Sequence, residues 1–516
     1  MPNPPYLIEA YTPFAESLIW QLNRDYYLKE GVDAWRKGVV PHHLTSNALV
    51  GRTYAELIYG FLKDLAKRGQ LQETVYLIEL GAGHGRLAFH ILKHLEKLQA
   101  QETVELPPYC YILSDIVEDN LIFFEQHPQF ETYIQQGILD IAYWDALESE
   151  SLELRHQEKV IEVQSLKHPL LAIANYFFDT LPFDLFFYKN THISKCSVQL
   201  ESLKAPDKDI HLPDVELSFA HQAIEQPYYT NPVWEELLNE YRTSVFNTYL
   251  FFPVKGFQAL ERLQALSPKG LVLISMDKGF HKIHNLENIP PPEMVMHGSF
   301  SFWVNYHALG AYCEKQGGKS LLPSLSNFNL ELACLFFVEE AETFKNTHAA
   351  YQKVVNEFGP DDFNGIKKLT YRHLDTMSIS ELIGLLRLGA YDSTFFIKML
   401  PRLKEVAKRI TFNERTRIAE TLHQTWDLYF TLNESFDLAY EMGGLFYDLG
   451  FYQEALDYFQ HSTDLFDTQA DVLYNQILCY YQLRQDQQFT LALQEAKTTF
   501  PNYEKWNYLA SLDLKA

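Results

Sequence analysis

The residues best suited to chemistry lie in ELGAGHGRLA, residues 79–88, which follows an apolar run and opens a helix expected to continue through Leu98. Gly81, Gly83 and Gly85 can form a tight turn and admit a ligand to the backbone, because no Cβ blocks the approach. The helix behind them would aim its N-terminal N–H groups at an anionic group such as a carboxylate. A Rossmann dinucleotide turn reads G-x-G-x-x-G; here Arg86 stands in place of its third glycine, which disfavours a pyridine nucleotide. Three acids follow in order: Glu79 ends the first strand, Asp115 the second, and Asp145 comes after the third. Together they suit a cationic amino acid joined to a nucleoside, as in S-adenosyl-L-methionine. Glu79 would hold a water or the amino end, Asp115 the ribose hydroxyls, and Asp145 the adenine amine.

A second cluster, ANYFFDTLPFD (174–184), ends the fourth strand. Asn175 would emerge at the carboxyl edge of the sheet, where open α/β folds bind ligands. Its amide can accept a hydrogen bond from an amine, and Tyr176, Phe177 and Phe178 can wall a sulfonium. Methyl transfer from a sulfonium needs in-line alignment more than an acid or a metal. A nitrogen acceptor must present a free lone pair, so Asp179 or Asp184 could orient it or take its proton. Asn175, Tyr176 and Asp179 are the candidate catalytic residues. His90 and His94 share an i, i+4 spacing but lack the Glu of H-E-x-x-H and read as a solvated helix face. Five cysteines lie far apart with no C-x-x-C pair, and no metal site is expected. The chain has neither a G-x-S-x-G elbow nor a P-loop.

The elements that must position these residues begin at Val75. Short apolar runs at 75–80, 109–114, 138–144, 170–175, 271–276 and 332–338 alternate with helical segments. That pattern requires a mainly parallel sheet covered on both faces, so the fold class is α/β, Rossmann-like. Residues 1–70 read as an N-terminal helical cover, and 71–344 as the α/β domain with an insertion at about 191–260. Residues 345–516 read as all-α. Within that tail Ala439, Gly443, Phe446, Ala455 and Phe459 sit at tetratricopeptide repeat positions. A degenerate second unit carries Leu473, Ile477, Tyr480, Leu493, Ala496 and Pro501. Such a tail is expected to bind a protein partner or substrate.

The 516 residues carry a formal charge of −24 with no Lys/Arg run, which disfavours nucleic acid and anionic membranes. No signal-like start or membrane-length apolar stretch occurs, so a cytoplasmic protein is expected.

ELGAGHGRLA, IANYFFDTLP and GLVLISMDKGF together resemble the MidA-like methyltransferases over about residues 10–340. The resemblance implies a class I S-adenosyl-L-methionine-dependent methyltransferase; mitochondrial members assist complex I assembly by methylating a protein arginine. By position Gly81, Gly83, Asp115, Asp145, Asn175, Asp179 and Pro182 match that pattern, with Asp115 where the family usually has Glu. Tyr176 stands where the family has a Glu suited to a guanidinium. Trp303 and Asn305 replace a His and an Asp in a later segment. These departures leave two alternatives: a catalytically impaired cofactor-binding scaffold acting through its tail, or a small-molecule methyltransferase. His42 and His43 precede a loop that in the family lies near the cofactor entrance.

Overall fold

The computed structural model describes residues 5–40, 45–101, 104–202, 204–205, 210, 212–327, 329–408 and 411–512. His42 and His43 lie outside them. The chain divides into two compact units, residues 1–365 and 366–516.

The first unit is built on a seven-stranded sheet: β1 (Val75–Leu80), β2 (Tyr109–Asp115), β3 (Leu139–Tyr143), β4 (Leu170–Asn175), β5 (Leu271–Asp277), β6 (Lys319–Leu321) and β7 (Glu331–Phe337). Their spatial order is β3-β2-β1-β4-β5-β7-β6. The five strands from β3 to β5 run parallel, and β7 and β6 pair antiparallel at one edge. Every residue of β1, β5 and β7 is buried, which explains their near-continuous apolar runs. Between β1 and β4 the chain returns to the sheet on opposite sides of its starting strand. The crevice this leaves at the carboxyl ends is where a parallel sheet exposes its loops.

Three helices frame that crevice: α1 (Leu18–Glu30), α2 (Ala48–Lys67) and α3 (Arg86–Gln99). Asn47 caps α2, its Oδ1 accepting the Val50 N–H at 3.0 Å. α2 packs against α3 so closely that a Cβ on Gly51 would lie 2.3 Å from the Cβ of His90. His90 and His94 are therefore buried, not solvated as the sequence pattern predicts. Burial holds the His94 imidazole down at about 3, and its Nε2 lies 3.1 Å from the Ala48 carbonyl. On the far side of α2, buried Asp64 accepts four hydrogen bonds from Asn346 and Thr347, fixing the helix Lys345–Tyr351.

A second sheet adds a strand to the N-terminal region, which the sequence pattern reads as a helical cover. Tyr6–Pro13 is a strand pairing antiparallel with His192–Ser202. The latter also pairs with Asp184–Lys189 and Val215–Ala223, and Thr248–Phe252 completes the sheet beside Asp184–Lys189. The insertion is thus largely a β-sheet, with the helix Pro232–Ser244 inside it. Its aromatic core includes Phe183 stacked on Phe251 at 4.5 Å, with Phe14, Trp20 and Phe302 around them.

The second unit is helical. Leu438–Leu449 and Tyr452–Leu465 form one antiparallel pair, followed by Ala470–Gln482, Asp486–Thr499 and the short Trp506–Ala510. A Cβ on Gly443 would lie 2.7 Å from the Phe459 ring, so a small residue is required where these helices meet.

Candidate functional site

A cavity of about 810 Å³ opens at the carboxyl ends of β1, β2 and β4. Its floor is the turn after β1. Gly81, Gly83 and Gly85 all adopt positive φ (+59°, +61° and +73°), a backbone that side-chain-bearing residues rarely take. Gly81 and Gly83 line the cavity, under the rings of Phe177 and Trp35 respectively. Gly85 is placed differently: it faces Phe124 and Phe130 in the interior and serves as the N-cap of α3.

The three acids converge on this floor. Glu79 is buried and accepts the Tyr111 hydroxyl at 2.7 Å. Burial pushes its carboxyl up to about 8; the Tyr111 hydrogen bond opposes that rise and the Asp115 charge adds to it. Asp115 accepts the N–H of Gly83 and of Val117, each at 2.9 Å, which ties β2 to the glycine turn. Burial raises Asp115 as well, against the pull of those amides. Asp145 accepts the Leu147 N–H at 2.9 Å and pairs with Arg24 of α1 at 2.7 Å.

Opposite, Asn175 donates from Nδ2 to the Thr45 carbonyl at 3.2 Å and receives the Tyr54 hydroxyl on Oδ1 at 3.4 Å. Tyr176 also lines the cavity, at φ +52°, a left-handed backbone uncommon for a bulky residue. Asp179, in the short turn Phe178–Thr180, is 4% exposed, and burial raises its carboxyl to about 7. Its Oδ1 is buried without a hydrogen-bond partner. Asp184 is elsewhere: it bonds the Tyr229 hydroxyl at 2.5 Å beside the second sheet and does not line the cavity.

α1 and the short turn after it roof the site, a role the sequence pattern does not reveal. Trp35 stacks on Tyr27 at 5.8 Å and meets His84 edge-on at 5.4 Å. Tyr27 in turn shares a 2.8 Å hydrogen bond with Ser299. Trp303 and Asn305, where the resembled family carries ionisable residues, do structural work. Trp303 stacks on Phe251 at 4.2 Å, and Asn305 caps the helix Tyr306–Lys315 while donating to the Phe251 carbonyl at 2.9 Å. Neither lines the cavity.

The residues present fit S-adenosyl-L-methionine. The volume lies within the range of small-molecule sites, the floor presents backbone without side chains, and the walls carry carboxylates suited to ammonium and hydroxyl groups. Residues 59–284 match the family described as "Putative S-adenosyl-L-methionine-dependent methyltransferase". No curated protein sequence matches the chain. Among solved structures, an uncharacterised protein from Burkholderia thailandensis aligns at 15% identity and TM-score 0.38, covering 60% of this chain and 74% of its own. A structure from the same organism described as a "likely methyl transferase" bound to S-adenosyl-homocysteine aligns at 15% identity and TM-score 0.36 over the same shares. The CMeT domain of the citrinin polyketide synthase aligns at 10% identity and TM-score 0.24, covering 52% of this chain and 47% of its own. With the match over residues 59–284 and the cavity's fit, the chain is an S-adenosyl-L-methionine-dependent methyltransferase, with S-adenosyl-L-methionine as its cofactor.

Proposed function

We propose that this enzyme methylates a nitrogen of a protein side chain, arginine being the acceptor its sequence resemblance implies. The observation that carries the reading is Asp179: a buried carboxyl on the cavity wall with an oxygen lacking any hydrogen-bond donor. A nitrogen-bearing cation would satisfy it by a charge-assisted hydrogen bond. In this reading Glu79, Gly81, Gly83, Asp115 and Asp145 hold the cofactor, and Gly85 sets the turn. Asn175, Tyr176 and Asp179 meet the acceptor. The bound cofactor supplies an electrophilic methyl: nitrogen forms the new N–C bond, the C–S bond breaks with its electron pair remaining on sulfur, and an N–H proton leaves. Asn175 and Tyr176 orient the nitrogen, and Asp179 takes the proton.

The proposal includes a Rossmann-like class I architecture and a tetratricopeptide-like tail that recruits the protein substrate in the cytoplasm. The helix pairs of the second unit and the Gly443–Phe459 approach support the repeat reading. Tyr176 favours one second reading, a cofactor-binding scaffold without turnover, because it fills the wall where the resembled family has Glu. Full-length protein incubated with methyl-tritiated S-adenosyl-L-methionine and a cell extract separates these. Methylarginine in digests of an extract protein, lost in Asp179→Asn, is the expected outcome. Label in small metabolites alone rejects the protein acceptor, and S-adenosyl-homocysteine binding without any transfer supports the scaffold.

A further inference from the structure

A second acid stands behind Asp179. Asp277, the last residue of β5, is fully buried and does not line the cavity. The Asp179 N–H donates to its Oδ2 at 3.2 Å, and the Lys278 N–H to its Oδ1 at 2.8 Å. The Asp179 contact brings the two buried carboxyl groups together, and the charge of Asp179 acts on Asp277. Two buried carboxylates held this close repel each other, which favours a state in which the pair keeps one proton.

The surroundings favour that state. The titratable groups facing the pair are the phenols of Tyr27 on α1, Tyr54 on α2, Tyr176 after β4, and Tyr306 on the helix Tyr306–Lys315. Burial raises all four, so they stay neutral and add no positive charge. Asp361 and Glu79 lie beyond Tyr176 and Tyr54, and Lys278 lines the cavity next to Asp277 in the chain. Burial and the like charge of a neighbour both disfavour ionising the two together. Burial, and then the neighbouring Asp179 charge, hold Asp277 well above the carboxylate range, and it is the deeper of the two.

We propose that Asp277 is a positioning residue for methyl transfer: it keeps a proton, donates it to Asp179, and so holds Asp179 ionised with Oδ1 available to the acceptor nitrogen. This deepens the nitrogen-acceptor reading and rests on it for its catalytic meaning. Before transfer the pair holds one proton. The proton released from the acceptor nitrogen joins Asp179, bringing the pair to two, and the cavity returns one to solvent. Since Asp277 stays protonated throughout, its task is to orient Asp179 and set the pH at which that oxygen can accept.

The test is infrared difference spectroscopy of the full-length protein in heavy water, titrated between about pH 5 and about pH 9 without acceptor. A protonated-carboxyl C=O band should change with a midpoint near 7 and persist in Glu79→Gln and in Asp115→Asn, which remove the other cavity carboxyls that burial raises. Asp277→Asn, whose amide still donates to Asp179, should remove that titration from the neutral range, as should Asp179→Asn. Far-ultraviolet circular dichroism and cooperative thermal unfolding report that each variant is folded. Should Asp277→Asn fail to fold, the wild-type and Glu79→Gln spectra decide alone. No carboxyl band titrating near neutrality in Glu79→Gln overturns the proposal, as does a band unchanged by Asp277→Asn. The methylation assay tests the acceptor separately, so either reading can fail while the other stands.

Discussion

Replacing Arg24 by Met asks whether charge fastens α1 over the cavity. Its Nη2 lies 2.7 Å from Asp145 Oδ2, with side-chain exposures of 28% and 4%. At about 4 Å between charge centres and an effective dielectric of about 20, the attraction is about 4 kcal/mol. Water reaching the guanidinium pulls the net value toward the surface limit of about 1 kcal/mol. The carboxylate pulls it the other way. Without Arg24 it keeps only the Leu147 N–H, and stranding a buried charge costs about 3–5 kcal/mol. We expect about 2 kcal/mol between those limits. Hydrogen exchange of peptides covering Leu18–Glu30 reads this as local opening, about 30-fold faster exchange at constant pH. In the double mutant with Asp145→Asn the two effects should fall short of adding by about 1–2 kcal/mol. Exchange within about threefold of wild type, or full additivity, would refute the claim that this ion pair holds the roof.

Three further expectations concern the same unit. Gly83→Ala should lower stability by about 2–4 kcal/mol, combining left-handed strain with a Cβ 2.9 Å from Trp35. Gly81→Ala, whose Cβ would meet Phe177 only at 3.4 Å, should cost about 1–2 kcal/mol, and thermal unfolding ranks the two. Glu79, raised by burial to about 8, binds its proton more tightly folded than unfolded. Its contribution is therefore intact below about pH 4.5 and is lost as pH rises to about 8. Unfolding of Glu79→Gln across that range should show a flatter decline. If Glu79 meets the ammonium end of the cofactor, calorimetry should find S-adenosyl-homocysteine binding several-fold tighter above that pH in wild type only. Asp64→Ala strands the donors of Asn346 and Thr347 and should cost about 3 kcal/mol or more, seen as fast exchange across Lys345–Tyr351.

The central sheet was legible because strands buried on both faces must be apolar throughout, and VYLIEL or LVLISM admits few other readings in so regular an alternation. The acids at strand ends were legible for the converse reason: a charge closing an apolar run needs an explanation. That signal also marks Asp277, at the end of LVLISMD, yet its partner Asp179 lies 98 residues earlier, and only the fold brings them together. Arg24 and Trp35 carry no such mark, since their partners Asp145 and Gly83 are remote in sequence. The strand Tyr6–Pro13 is hidden similarly, its irregular register blurring the alternation that would betray it. His90 and His94 look like a wet face because imidazole is polar; Gly51 within α2 was the clue that another helix comes close there.

The pairing of Tyr6–Pro13 with His192–Ser202 imposes an order on synthesis. Tyr6–Pro13 leaves the ribosome before its mate, which emerges only after almost two hundred further residues. At about 5–20 residues per second that is a delay of roughly 10–40 s. Throughout that interval the strand's backbone N–H and C=O groups and the half-buried Ile8 lack their native neighbours, and α1, which follows directly, lacks its anchorage on the second sheet. A nascent chain of this enzyme therefore presents an unpaired strand edge until its mate arrives, and slowing translation should lengthen that exposure.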